Sequence, residues 1–315
     1  MKLTTAPAPH IHSGSSTRRI MLDVAAALLP ALLAGVLRFG IRALTVTLLC
    51  VCTAVLAEVL YCKLRGLPNS ARDGSAVVTG LLLAMTLPHT VPLWMAALGS
   101  IFAVCAVKLL CGGLGENIFN PALSARALLM LLYPVGITRY ADIDGVSTAT
   151  PLHHMVMPAL PEQSLTDMFL GRTPGSIGEI SALALLLGGA YLVFRGVISC
   201  RIPLSYLGSA AVLTLIFHKT DTPLLWMLYS LLSGGIMLGA IFMATDYTTS
   251  PVTPRGQILY GIGCGTLTVL FRYWGLYPEG VTYAILLMNA TVWLIDRYTA
   301  PRRFGCRSGK GGDRK

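Results

Sequence analysis

The sequence predicts an all-α integral membrane protein, with about ten transmembrane segments in two inverted five-helix repeats and one extracytoplasmic loop. Three observations carry that prediction. Of 315 residues, 54% are hydrophobic and 12% charged, with a mean hydropathy of +0.68, whereas soluble domains carry about 25% charged residues. Apolar runs recur along most of the chain. The basic residues cluster between those runs and at both ends, as the positive-inside rule expects.

The first 19 residues are polar, contain Pro7 and Pro9, and end in Arg18-Arg19. They read as a cytoplasmic tail whose arginines anchor the first helix. The pair faintly resembles a twin-arginine export signal, but no apolar signal core precedes it. Apolar runs then follow at 20–37, 41–62, 75–87, 91–111 and 118–136, a first membrane half over 20–136. After a polar stretch at 137–176, further runs at 177–195, 204–217, 223–243, 256–273 and 280–296 form a second half over 177–296. A simple span takes about 20 apolar residues. The runs at 75–87 and 204–217 are shorter, and the first closes on Pro88, so a broken or re-entrant helix is expected there.

Charge sets the orientation. With a cytoplasmic N-terminus and ten crossings, Lys63, Arg65, Arg72, Arg195 and Arg201 fall inside. So do Arg302, Arg303 and Arg307 in the basic tail at 297–315. Both termini are then cytoplasmic and 137–176 is extracytoplasmic. The net charge of +10 is accounted for in this way, and a nucleic-acid surface, which needs a basic face on a soluble fold, is excluded.

A repeat is visible in outline. The block at 73–79 and the block at 246–253 each precede an apolar run, and each is followed by an acid at the start of a later one, Glu116 and Glu279. Five spans per half is an odd number, so the halves would be inverted in the membrane. Such folds place a substrate or ion site near the midplane, at interrupted helices.

The polar loop holds Asp144-Gly145-Val146-Ser147-Thr148-Ala149-Thr150, followed by Pro151. In isolation this is a Ser/Thr-rich turn. It also resembles the site at which bacterial flavin transferases attach FMN to a threonine hydroxyl through a phosphoester. Ala149 and Gly145 leave room for a bulky donor, and Asp144 could help hold its magnesium–diphosphate. Placement in the only long extracytoplasmic loop favours attachment.

Other residues could carry ions. Asp23, Glu58, Asp73, Glu116, Glu179, Asp246 and Glu279 lie in or at the ends of spans, where an ionisable group marks a path by default. Asp73, Glu116, Asp246 and Glu279 are the ion-path candidates. Asn120-Pro121 offers an amide at a helix start. Arg126 sits inside a run and needs an acid or a phosphate. The eight cysteines contain no CxxC and read as packing residues. The histidines have no third ligand at metal spacing. No G-x-G-x-x-G or P-loop is present, so energy for transport would come from redox chemistry or a gradient.

Together these motifs resemble the RnfD/NqrB family, membrane subunits of the Rnf complex and of the sodium-pumping NADH:quinone oxidoreductase. The resemblance runs through 9–14 and 19–23, the block at 73–80, Gly113-Leu114-Gly115-Glu116-Asn117-Ile118-Phe119-Asn120-Pro121-Ala122, and 144–152. It continues through 178–183 and Phe242-Met243-Ala244-Thr245-Asp246-Tyr247, and ends with Tyr277-Pro278-Glu279-Gly280-Val281 and 301–305. The length and short polar N-terminus are closer to the RnfD branch than to NqrB. The family's attachment motif usually reads Ser-Gly-Ala-Thr; here Thr148 replaces the glycine.

The resemblance implies FMN attached to Thr150 by a flavin transferase, with Asp144, Ser147 and Ala149 completing the motif, and a phosphoester-modified chain in the bacterial inner membrane. It also implies a noncovalent riboflavin in the membrane part, with Asn120 and Thr79 in its neighbourhood. The partners it implies are the Rnf proteins RnfA, RnfB, RnfC, RnfE and RnfG. The expected function is an electron-carrying subunit of a ferredoxin:NAD⁺ oxidoreductase that moves Na⁺ or H⁺, with no catalytic residue of its own. The rival expectation is an inverted-repeat secondary transporter or channel without a redox role.

Overall fold

The computed structural model describes residues 16–67, 70–140, 152, 160–161, 163–275 and 279–301. All its regular structure is helical; among the described residues there is no strand. The first five helices are α1 (Thr17–Phe39), α2 (Ile41–Arg65), α3 (Ser75–Thr86), α4 (Leu93–Phe102), which runs on through a π-helical turn at Ala103–Leu109, and α5 (Pro121–Leu132). Two short helices follow, α6 (Pro134–Thr138) and α7 (Leu165–Leu170). The second set is α8 (Ala182–Phe194), α9 (Arg201–Ile216), α10 (Pro223–Leu232), α11 (Ile236–Leu238, continued by the π-turn Gly239–Met243), α12 (Pro254–Trp274) and α13 (Val281–Thr299).

The boundaries follow from local chemistry. Ser16 caps α1 by accepting from the Arg19 N–H. Asn120 caps α5, its Oδ1 accepting from the Ala122 and Leu123 N–H groups, and Pro121 takes the first helical position, where no N–H is needed. Thr253 and Pro254 repeat that arrangement at α12.

Length separates two kinds of helix. α1 and α2, with 23 and 25 residues, are long and apolar enough to cross a membrane. α3 and α5 have 12 residues each, about 18 Å at 1.5 Å per residue, well short of a hydrocarbon core of about 30 Å. The expected short helix at 75–87 is therefore present. The run at 223–243, read from sequence as one segment, is also broken: α10 and α11 meet at a 65° bend. Ser233-Gly234-Gly235 causes it, since Gly234 and Gly235 both take left-handed backbone, at φ 63 and 68. The run at 118–136 likewise divides at Tyr133-Pro134, between α5 and α6.

Packing uses small residues. α12 presents Gly261 and Gly265 to α9, where an added Cβ would lie 2.9 Å from the Ile202 carbonyl oxygen and 2.5 Å from that of Tyr206. This is the close backbone approach that small-xxx-small spacing permits in lipid. α2 packs on α3 and α4, and α12 packs on α9 and α13. α1 on α8, and α5 on α13, join the two sets. Outward faces are apolar: Leu33, Leu37, Leu56 and Leu64 are exposed while Leu28, Ala43 and Val46 are buried. Outward leucines and inward small residues suit a lipid surround and fit a multi-pass membrane protein.

Candidate functional site

The half-length helices α3 and α11 run antiparallel. Ser75, Val78 and Thr79 at the start of α3 share a cavity with Thr245 and Asp246 just past the end of α11. Thr86 at the end of α3 shares another with Gly234 and Gly235 at the start of α11. Each helix begins at a left-handed glycine, Gly74 at φ 81 and Gly235 at φ 68. A polar site lies at either end of the pair.

The first site is a concavity of about 710 Å³ with its open side included. Its walls are apolar (Met21, Val24, Leu82, Phe242) and its polar lining includes Ser75, Thr79, Lys108, Asn117, Asn120, Asp246 and Thr248. A few polar groups in an apolar concavity of several hundred Å³ is the usual form of a small-molecule site. The Asn120 side chain donates from Nδ2 to the Met243 carbonyl at 3.3 Å and so ties α5 to α11. Asn117 Nδ2 donates to Thr248 Oγ1 at 3.1 Å, and Thr248 donates to Asp246 Oδ2 at 3.1 Å. Asn117 is 4% exposed, yet its Oδ1 has no hydrogen-bond partner among the described residues. A buried acceptor left unpaired costs about 1–3 kcal/mol, so a bound donor there would be stabilising.

Behind this cavity lies a buried ion pair. Lys108 Nζ donates to Glu58 Oε1 at 2.8 Å and to Ser75 Oγ at 2.5 Å. Glu58 is 0% and Lys108 2% exposed. Ser70 Oγ donates to Glu58 Oε1, and Ser75 donates from both N and Oγ to Asp73 Oδ1.

The second site, at the other end of α3 and α11, is built on Arg126. Its guanidinium donates to the Thr86 carbonyl, to Glu179 Oε1 at 3.2 Å and to Glu279. Tyr140 donates to the other Glu279 oxygen, and Ser176 to Glu179 Oε2 at 3.0 Å. Burial, reinforced by the Glu279 carboxylate, holds the Tyr140 phenol well above its ordinary range. Arg272 stands beside the start of α11 and donates to the carbonyls of Ser230, Ser233 and Gly234. Leu152 packs against Gly234, where an added Cβ would fall 2.5 Å from its Cδ2.

The structure thus gathers Asp246, Asn120 and Thr79 around the first site, with Asp73 behind Ser75, and places Glu279 in the second. Glu116 is exposed and lines neither; its carboxylate rests against Gly112. Asp144, Ser147, Ala149 and Thr150 lie outside the described residues. The two aspartate blocks taken as repeats do not occupy equivalent places: Asp73 opens α3, whereas Asp246 follows α11. Sequence reasoning expected an acid or a phosphate for Arg126, and the structure supplies two acids. It did not single out Lys108 or Arg272, although a cation inside an apolar run was a usable signal.

A multi-pass helical bundle with interrupted half-length helices and buried ionic sites at both of their ends defines the class of polytopic membrane proteins that handle charged or polar cargo internally. The chain belongs to the NQR2, RnfD, RnfE family, whose model matches residues 4–305. It is 47% identical over 311 residues to the D-type subunit of the Na(+)-translocating ferredoxin:NAD(+) oxidoreductase complex of Acetobacterium woodii, covering 97% of this chain and 96% of that one. It is 42% identical to the D-type subunit of the proton-translocating ferredoxin:NAD(+) oxidoreductase complex of Clostridium ljungdahlii, covering 96% of each. It is 39% identical to the D-type subunit of the ion-translocating oxidoreductase complex of Stutzerimonas stutzeri, covering 94% of each.

Proposed function

We propose that this chain is the D-type membrane subunit of an ion-translocating ferredoxin:NAD⁺ oxidoreductase complex, carrying electrons on flavin and coupling them to movement of a monovalent cation. The observation that carries the reading is identity of 47% and 42% over nearly the whole chain to two subunits bearing that activity in their names. One of those names states Na⁺ and the other H⁺, so the cation is left as either.

The two sites divide the work. FMN is attached to Thr150 through a phosphoester. Leu152 is two residues further along and packs at the start of α11. The first site takes a noncovalent flavin: Asn117 Oδ1 is an unused acceptor for a ring or ribityl donor, and Asn120, Thr79 and Asp246 complete the polar lining. Bound flavin supplies the electron-transfer chemistry; the protein supplies position and electrostatics. On the ion side, Arg126 bridges the Glu179 and Glu279 carboxylates, a cluster whose charge a bound proton or metal cation would change.

The fold reading behind this is two inverted five-helix halves with about ten transmembrane segments, some of them interrupted, with both termini cytoplasmic and 137–176 outside. The antiparallel α3 and α11, each started by a left-handed glycine and each contacted near its start by a buried cation, Lys108 or Arg272, support that inversion. A reporter placed in 137–176 should be extracytoplasmic.

The flavin reading is tested by co-expressing the chain with a flavin transferase. The denatured band should fluoresce under ultraviolet light, and Thr150→Val should abolish the fluorescence. A dark wild-type band with an active transferase would favour the rival secondary transporter, and loss on Thr148→Val instead would move the acceptor.

A further inference from the structure

Lys108 has a peculiar position. It is buried, and with Ser75 it lines the first cavity, whereas its counter-ion Glu58 does not. The ion pair is therefore a buried dipole with its positive end at the cavity and its negative end behind. Two of the ammonium's three N–H groups are used, one on Glu58 and one on Ser75. Glu58 is held through Oε1 alone, since Oε2 has no partner among the described residues. Two helix starts face the same space: Ser75 begins α3, and Pro121 begins α5, and both residues line the cavity. Helix N-termini carry partial positive charge. The opposing group on the lining is Asp246, whose Oδ2 is engaged by Thr248 and Thr249. Asp73 lies behind Ser75 and off the lining.

We propose that Lys108, backed by Glu58, is the residue that sets how readily a redox ligand in this cavity accepts electrons, biasing it toward the reduced, more negatively charged form. This rests on the reading of the cavity as a noncovalent flavin site. Uptake of two electrons and one proton from the titrating reductant and solvent gives the anionic reduced flavin, adding one negative charge in a region of low dielectric, where a cation a few ångströms away acts far more strongly than in water. Neutralising Lys108 removes that attraction and leaves Glu58 as a bare anion behind the ligand. Neutralising Glu58 has the opposite effect, because the ammonium then faces the cavity uncompensated. A residue that only fills space would not produce shifts of opposite sign from its two partners.

The test uses the full-length chain carrying Thr150→Val, in nanodiscs, with riboflavin as the probe, so that the cavity ligand is the flavin left to titrate. Binding is measured by equilibrium dialysis and redox state by absorbance during reductive titration. At a fixed potential Lys108→Met should lower the reduced-to-oxidised ratio of bound riboflavin at least tenfold, about 30 mV for a two-electron couple. Glu58→Gln should raise the ratio, and Lys108→Arg should stay within about threefold of the parent.

Because Lys108→Met strands a buried carboxylate, a second variant, Lys108→Met with Glu58→Leu, replaces the pair by apolar groups of similar size, a change buried pairs often tolerate. It should shift the ratio downward as well. Riboflavin bound with an unchanged ratio in every variant, or shifted the same way by Lys108→Met and Glu58→Gln, would overturn the proposal and leave the cavity reading standing. Loss of riboflavin from both folded Lys108→Met proteins would also overturn it, making Lys108 a binding residue. No riboflavin bound by the parent chain would instead refute the cavity reading itself.

Discussion

The two ends of the α3–α11 pair use one backbone device and balance charge differently. At the start of α3, Lys108 reaches Ser75 and carries its own carboxylate, Glu58. At the start of α11, Arg272 binds the carbonyls of Ser230, Ser233 and Gly234 and, among the described residues, no carboxylate. The acids of that end are instead gathered on Arg126, contributed by α5 of the other half. One end therefore holds a Lys–Glu pair, with Asp73 and Asp246 close by, at a roomy cavity of about 710 Å³, and the other holds two carboxylates on one guanidinium beside cavities of about 350 and 250 Å³. The roomy end suits an organic ligand. The tighter end, where two carboxylates converge on one guanidinium, suits an ion or a proton.

That contrast can be broken or sharpened by substitution. The largest effect is expected at Arg126. Arg126→Leu leaves Glu179 and Glu279 buried without their cation, and breaking such a cluster costs about 3–5 kcal/mol. A strongly lowered Tm in detergent is expected, with partial recovery when Glu279→Leu is added. A stable Arg126→Leu protein would mean that the two ends do not differ in charge balance. A smaller loss is expected for Arg272→Met, about 1.5–3 kcal/mol, because carbonyls rather than anions lose their donor. If Arg272→Met proved as damaging as Arg126→Leu, charge would not be what separates the ends.

The smallest effect belongs to Tyr140→Phe, about 0.5–1.5 kcal/mol for one hydroxyl. Its pH signature is more telling than its size. The folded protein holds the phenol above its ordinary value of 10.0. The unfolded chain therefore loses that proton first, and the stability linked to it is present below pH about 10 and falls as pH rises beyond it. Tyr140→Phe should flatten that alkaline decline in Tm. An unchanged slope would place the titration elsewhere.

Much of this was legible in the residues. The apolar runs all contain helix, because lipid or a lipid-like interior leaves the backbone no other way to satisfy its own polar groups. Asn120-Pro121 was readable as a helix start, and Arg126 as a charge in need of an acid. The 65° break before Ile236 was readable in Ser233-Gly234-Gly235 as well, but length favoured a single segment: a mostly apolar run over 223–243 looks like one span until two left-handed glycines interrupt it. Glu116 shows the reverse error. It shares its motif with Asn117 and Asn120, yet its carboxylate turns to Gly112 and the surface.

Composition and local motifs were enough for the membrane class, several helix starts, the family, and the polar stretch that contains Thr150. Only the tertiary structure decided which buried charges meet. Lys108 and Glu58 are 50 positions apart, and Arg126 and Glu279 are 153 apart. No local pattern selects such partners. A buried charge is tolerated only where an opposite charge or a row of carbonyls is brought to it, and which group arrives depends on how two short antiparallel helices and their neighbours pack.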